Sequence, residues 1–330
     1  MKKITSLFVC AVMIIGLFVG CSTKPEEEKP EVASEPINVA VLKGPTGMGM
    51  AKLMKDNEEK TSLNPYNFQI SATADEIVSN LAKGTIDVAA VPANLASVLY
   101  NKTEGEITAA AINTLGVLYI VETGEEITSI KDLKGKTIYS MGKGTTPEYS
   151  LNYILEQNGI DPNKDVTIEY KSEASETASA LLSGGEENKI ALLPEPFVTS
   201  VKAKNGKIRT AVNLGEEWEK INGAKLVTGV IIVRNEFLEN NKGAFDTFMS
   251  EYKASTEFIH TNVEEGAKIV GKYGIVPEAI AKQAIPNCSI TFLEKQELET
   301  NLGAYLNILF EKDPKSIGGK LPIKDFYYLG

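Results

Sequence analysis

Cysteine and histidine are almost missing from this chain. It holds three cysteines, Cys10, Cys21 and Cys288, and a single histidine, His260. Cys10 lies in an apolar leader and Cys21 at its end, so the folded part would keep Cys288 alone and form no internal disulfide. One thiol and one imidazole do not make a His/Cys metal site, although a site of carboxylates alone stays open. His260 sits in a long helical stretch, where a lone histidine is ordinarily a surface or packing residue. Positive charge is also short. Lys and Arg number 34 against 44 Asp and Glu, a formal net charge of −10. Nucleic acid and anionic membrane surfaces need clustered cations, so this balance argues against both as partners.

The glycine signatures of nucleotide enzymes are absent as well. The stretch NVAVLKGPTGMGMAKLM, Asn38 to Met54, runs strand, glycine turn, helix. A dinucleotide fingerprint needs G-x-G-x-x-G at that place. Counted from Gly47, the third position is Lys52; counted from Gly44, the second is Thr46. A phosphate loop fails too. Gly135-Lys136-Thr137 has Ile130 where its first glycine should stand, and it precedes a strand. There is no G-x-S-x-G elbow of the hydrolase kind. No cofactor motif remains, and no cofactor is expected.

What is present begins with the leader. Lys2 and Lys3 precede an almost wholly apolar run from Ile4 to Val19, then Gly20-Cys21 and polar sequence. That is the layout of a secretory signal, too short for a membrane span. The ending LFVGC is similar to a bacterial lipoprotein processing site, with Cys21 as the lipidated residue; Phe18 departs from the usual leucine. Ser22 to Pro36 is rich in Pro and Glu and lacks a core pattern, which suits a solvated tether.

From Ile37 the pattern alternates strand and helix, which argues for α/β architecture with mainly parallel sheets. Two such units follow each other, about 37–122 and 125–215, before one more strand at Leu226–Arg234 and a nearly all-helical remainder. The second unit has its own glycine turn, Gly142-Lys143-Gly144-Thr145-Thr146, with Thr146 as N-cap and Pro147 as first helical residue. Thr73 and Glu76 stand at capping-box spacing. The simplest organisation is a leader at 1–21, a tether at 22–36, one lobe from 37–122 plus 226–330, and a second lobe at 123–225 that includes the crossings. Both glycine turns would then face a cleft, offering unpaired N–H groups at helix N-termini.

These features resemble the solute-binding proteins of bacterial ABC importers, in the branch related to sulfonate, nitrate, taurine and thiamine-precursor binders. The residues that carry the likeness are the GPTG turn, GTIDVAAVPANLA (Gly84–Ala96), IKDLKGKTI (Ile130–Ile138) and LLPEPFVT (Leu192–Thr199). The resemblance implies a two-lobed periplasmic-binding-protein fold of the two-crossing kind with a helical C-terminal block. It also implies a small ligand trapped between the lobes, delivery to a permease and its ATPase, and no catalysis. Carried over by position, the ligand shell would be Gly44, Thr46, Gly47, Thr73, Asn94 and Asn113 from the first lobe. Gly144, Thr145, Thr146 and Glu195 would come from the second, and Thr228 from the returning strand. Thr73 and Asn94 have an alternative reading as helix caps. Glu195 would meet an amine, amidine or ring N–H, or else pair with Lys143. The ligand expected is a small organic anion, a zwitterion or a polar heterocycle. The same fold is similar to that of cytosolic enzymes of menaquinone and thiamine-pyrimidine biosynthesis; the latter use a reactive histidine and a cysteine cluster, which this chain lacks.

Replacing Cys21 with Ala is expected to abolish acylation and move the protein from the membrane fraction to the soluble fraction. Unchanged sedimentation with membranes would overturn the anchor.

Overall fold

The computed structural model describes residues 31–183 and 188–330, so the leader, Cys21, most of the tether and the Gly184-Gly185 helix ending lie outside the described residues. Those residues form two sheets. The first has the order β11-β4-β10-β3-β1-β2, and the second β7-β6-β8-β5-β9. The first sheet comprises β1 (Ile37–Leu42), β2 (Tyr66–Ser71), β3 (Val88–Pro92), β4 (Ile107–Leu115), β10 (Val227–Arg234) and β11 (Ile290–Glu294). The second comprises β5 (Leu118–Glu122), β6 (Thr137–Ser140), β7 (Thr167–Tyr170), β8 (Ile190–Pro194) and β9 (Arg209–Asn213).

Helices alternate with these strands. In the first lobe they are α1 (Pro45–Glu58), α2 (Ala74–Ala82) and α3 (Ala93–Lys102). In the second they are α4 (Thr146–Gln157), α5 (Ala174–Leu182), α6 (Phe197–Lys204) and α7 (Leu214–Asn222). After β10 come α8 (Asn235–Asn240), α9 (Lys242–Thr261), α10 (Val263–Lys272), α11 (Glu278–Ala284) and α12 (Lys295–Lys312). The central strands carry unbroken apolar runs, such as IALLP in β8 and VAAVP in β3, because helices cover both faces. β1, β3, β10 and β4 contribute fully buried Val, Ile and Ala to cores on either side of the first sheet.

The expectation of mainly parallel sheets holds for strand direction but not for neighbour pairing. β1 pairs in parallel with β2 and β3, and β6 with β7 and β8. β10 is antiparallel to β3 and β4, β11 to β4, and β5 to β8 and β9. The reason is the route of the chain. β1, β3 and β6 end where α1, α3 and α4 begin, at the cleft. β5 and β10 arrive across that cleft from the other lobe and therefore run the opposite way. β5 thus belongs to the second sheet, so the first crossing is at Gly116-Val117 and not after residue 122. The C-terminal block is also less uniform than expected, since β11 interrupts its helices and edges the first sheet. The helix α7, which was not expected, precedes the second crossing.

The first crossing packs on the start of α7 and beside Leu226 of the second crossing. A Cβ on Gly116 would stand 2.8 Å from the Gly215 Cα, so these two backbones touch where no side chain fits. Thr228 Oγ1, at the start of β10, donates to the Leu115 carbonyl at 2.6 Å. Ser289 Oγ donates to the Gly116 carbonyl at 2.8 Å. Beside them the lobes share a buried aromatic group. Trp218 of α7 packs against Tyr305 of α12 at 5.4 Å between ring centroids and against Tyr153 of α4 at 4.9 Å.

Gly116→Ala is expected to cost about 1–3 kcal/mol of stability, because the added methyl must push the first crossing away from the start of α7. Denaturant unfolding that matched the parent protein would overturn this close packing.

Candidate functional site

A cavity of about 400 Å³ opens between the sheets. Its walls come from both lobes and from both crossings: Leu42, Pro45, Thr46, Val91 and Thr114 from the first lobe, Met141, Thr145, Thr146, Glu173, Ser175 and Glu195 from the second, and Val117 and Thr228 from the crossings. That is a usual size for a small-molecule site.

Three helices point their N-termini at it. α1 starts at Pro45 after Gly44, whose φ of 127° suits glycine, and no side chain caps it. Proline at the first position has no N–H to satisfy, so Thr46 and Gly47 carry the free donors of that turn. α4 starts at Thr146, with Thr145 rather than Thr146 at the N-cap and Pro147 one position later. The Thr145 hydroxyl turns back to the Gly142 carbonyl at 2.7 Å, closing the glycine turn instead of capping the helix. α5 starts at Ala174 beside Glu173 and Ser175, again without a side-chain cap bond. Convergent helix N-termini carry positive partial charge and open N–H groups, which suits an anion. Lys43 is the one cation among the described residues that line the cavity, and it is exposed at the rim.

The threonines of the wall have already placed their protons. Thr46 Oγ1 donates to the Leu42 carbonyl at 3.0 Å, and Thr114 Oγ1 to Asn113 Oδ1 at 3.2 Å. Thr146 Oγ1 donates to Asn94 Oδ1 at 3.4 Å while accepting from the Tyr305 hydroxyl at 3.1 Å. With Thr145 and Thr228 bound as described above, each of these hydroxyls offers the cavity only its remaining acceptor capacity. Donors for an anion must therefore come from main-chain N–H groups and Lys43.

Glu195 is 4% exposed and lines the cavity. Its Oε2 accepts the Thr199 N–H and its Oε1 the Thr199 hydroxyl, each at 3.0 Å, so the carboxylate covers the open first turn of α6. Burial pushes its pKa above the ordinary value, and the two Thr199 bonds oppose this. It does not pair with Lys143, which lies over the Tyr170 ring at 5.7 Å. Tyr119 nearby is pushed up to about 12, first by burial and then by the Glu195 charge.

Of the residues expected to form the ligand shell, Thr46, Thr145, Thr146, Glu195 and Thr228 line this cavity. The others do not, each for a visible reason. Gly44 faces a neighbouring cavity. Gly47 is inside α1, and a Cβ there would meet the Leu42 carbonyl at 2.9 Å, so its small size serves helix packing. Thr73 is exposed at the start of α2 and makes no cap bond, and Glu76 accepts from Gln69 instead of completing a capping box. Asn94 is fully buried and joins three segments, donating to the Gly144 and Ser316 carbonyls at 3.3 and 3.0 Å. Asn113 stands behind Thr114. Gly144 spends its N–H on Glu148 at 2.6 Å. Sequence reasoning missed Lys43, Thr114, Met141, Glu173, Ser175 and Phe197. Lys43 could have been found, because it directly precedes the glycine turn. The α5 start has no glycine to mark it.

Residues 49–236 match the family model described as ABC transporter, phosphonate, periplasmic substrate-binding protein. The putative binding protein YtlA of Bacillus subtilis (strain 168) is 22% identical over an alignment of 284 residues, and the match covers 74% of this chain and 82% of YtlA. The crystal structure of an ABC transporter from Parabacteroides distasonis superposes with a TM-score of 0.74 at 22% identity, covering 89% of this chain and 98% of that one. The periplasmic aliphatic sulphonate binding protein SsuA of Escherichia coli gives 0.72 at 13% identity, covering 91% and 92%. These likenesses establish the two-lobed fold of periplasmic binding proteins.

Glu195→Gln is expected to raise stability at neutral pH relative to the parent. A carboxyl whose folded-state pKa is raised stabilises fully below its unfolded value and loses that contribution as pH rises through the folded value. The gap between variant and parent should therefore widen as pH rises from the ordinary carboxylate range and then level off. A gap in unfolding free energy that does not change with pH would overturn the buried-carboxylate reading.

Proposed function

Because this chain belongs to the phosphonate family of periplasmic substrate-binding proteins of ABC transporters, we propose that it captures a small organic anion between its lobes and hands it to an importer. The observation that supports this reading is the meeting of three uncapped helix N-termini, from two lobes, in one cavity of about 400 Å³. An anionic head such as a phosphonate or sulfonate fits donors of that kind. The sulphonate named for the Escherichia coli neighbour belongs to the same chemical class.

The acceptors that line the same cavity narrow the class further. Glu195, Glu173 and the lone pairs of the threonine oxygens are acceptors, so a ligand that also carries an N–H or O–H donor is favoured over a bare inorganic anion. The binding is non-catalytic in this proposal, and neither His260 nor Cys288 lines the cavity. His260 Nε2 is engaged with the Ile290 carbonyl at 2.8 Å, and Cys288 is buried against Met48, its thiol pushed up by burial. Lipidated Cys21 and the tether would hold the protein outside the cell membrane beside the permease and its ATPase. Closure of one lobe on the other would enclose the ligand and present a matched surface to that permease.

Lys43→Met is expected to weaken binding of methylphosphonate about tenfold, the loss of one charge-assisted contact. Thr46→Val, which removes a hydroxyl already committed to Leu42, is expected to change it by less than about threefold. Titration calorimetry giving the reverse order would overturn the assignment of anion recognition to main-chain N–H groups and Lys43.

A further inference from the structure

A second cavity, about 420 Å³, lies next to the first and shares Lys43 and Phe197 with it. The two are separated at Gly44, where a Cβ would stand 4.0 Å from Pro196 Cδ. One wall is the turn between α10 and α11, with Ile275, Val276 and Pro277; the other is α6, with Pro196, Phe197 and Ser200. Apart from Lys43 and Ser200, these side chains are apolar. The chamber is therefore apolar except at Ser200 and at Lys43, on the side it shares with the first cavity.

Resting on the reading of the first cavity as an anion site, we propose that the second cavity is a tail subsite. It would admit the alkyl or aryl chain of a ligand whose anionic head lies at the N-termini of α1, α4 and α5. Three observations support this. The two cavities are neighbours that share a wall residue from each lobe, Lys43 and Phe197. Gly44 is glycine at a φ of 127°, which keeps the partition between them free of a side chain. Lys43 lines both cavities and combines an ammonium with an apolar stem, a suitable lining where a head would join a tail. Phe197 presents the opposite side of that junction from the start of α6. Because each chamber is walled by both lobes, a ligand that fills both would be gripped at two places on closure.

The test is calorimetric titration of the full mature chain with straight-chain alkylphosphonates from methyl to octyl, and with the matching alkylsulfonates. The subsite predicts affinity that rises about fourfold per methylene over several carbons, the worth of burying one CH2. Ser200→Trp fills the chamber from a half-exposed position on α6 and is expected to remove this gain. Methylphosphonate should still bind the variant as it binds the parent, which shows that the fold is intact. Flat affinity along the series, or a gain that survives Ser200→Trp, would overturn the subsite and leave the anion site standing. Binding of neither series at any length would overturn the anion site and the subsite with it.

Discussion

Two stretches of chain pass between the lobes with no room for a side chain at Gly116, and the rest of the molecule is arranged around that contact. β5 and β10 run against their neighbours because each has just come across. The Thr228 hydroxyl holds the start of one crossing to the end of the other. The floor of the ligand cavity is made of these same residues, Thr114, Val117 and Thr228. In the proposed closure, movement of the lobes would bend the base of the site while the helix starts on either side keep their own geometry. Asn94, Thr146 and Tyr305 form a second tie above the crossings, joining α3, α4 and α12 by side-chain bonds.

Recognition in the cavity is divided by chemistry. The donors are backbone groups fixed by helix starts, and the acceptors are threonine oxygens and two glutamates. This division follows from how threonine behaves beside a free carbonyl. A hydroxyl with a local acceptor gives its proton there, and a lone pair is what it has left for a ligand. Glu195 fits the same scheme, since its two oxygens serve Thr199 while its face to the cavity remains acidic.

Much of this architecture was legible in the sequence, because strand and helix periods are local properties. β6 and α6 begin and end where their apolar patterns do, and the glycine turns mark the starts of α1 and α4. The elements that were missed lack such marks. α7 carries only two fully buried large residues, Leu214 and Trp218, amid charged neighbours. β11 is a short edge strand with half-buried side chains. The first crossing was placed too late because β4 and β5 read as two consecutive strands of one unit, and only pairing reveals that they belong to different sheets. In the site, residues that touch the cavity through helix starts were recognisable. Those that looked like ligands by position do not line the cavity: Asn94 gives its amide to the Gly144 and Ser316 carbonyls, and Asn113 accepts from Thr114. The α5 start needed the three-dimensional neighbourhood to be seen as part of the site.

The use of backbone donors at α1, α4 and α5 has an evolutionary consequence. If the proposed anion seat holds, a grip made of main-chain N–H groups cannot be deleted by changing one side chain, so mutation would leave that seat largely intact. The walls are different, being ordinary side chains open to replacement. A protein built this way can drift from one ligand to another within a chemical class by altering its walls, without passing through a form that binds nothing.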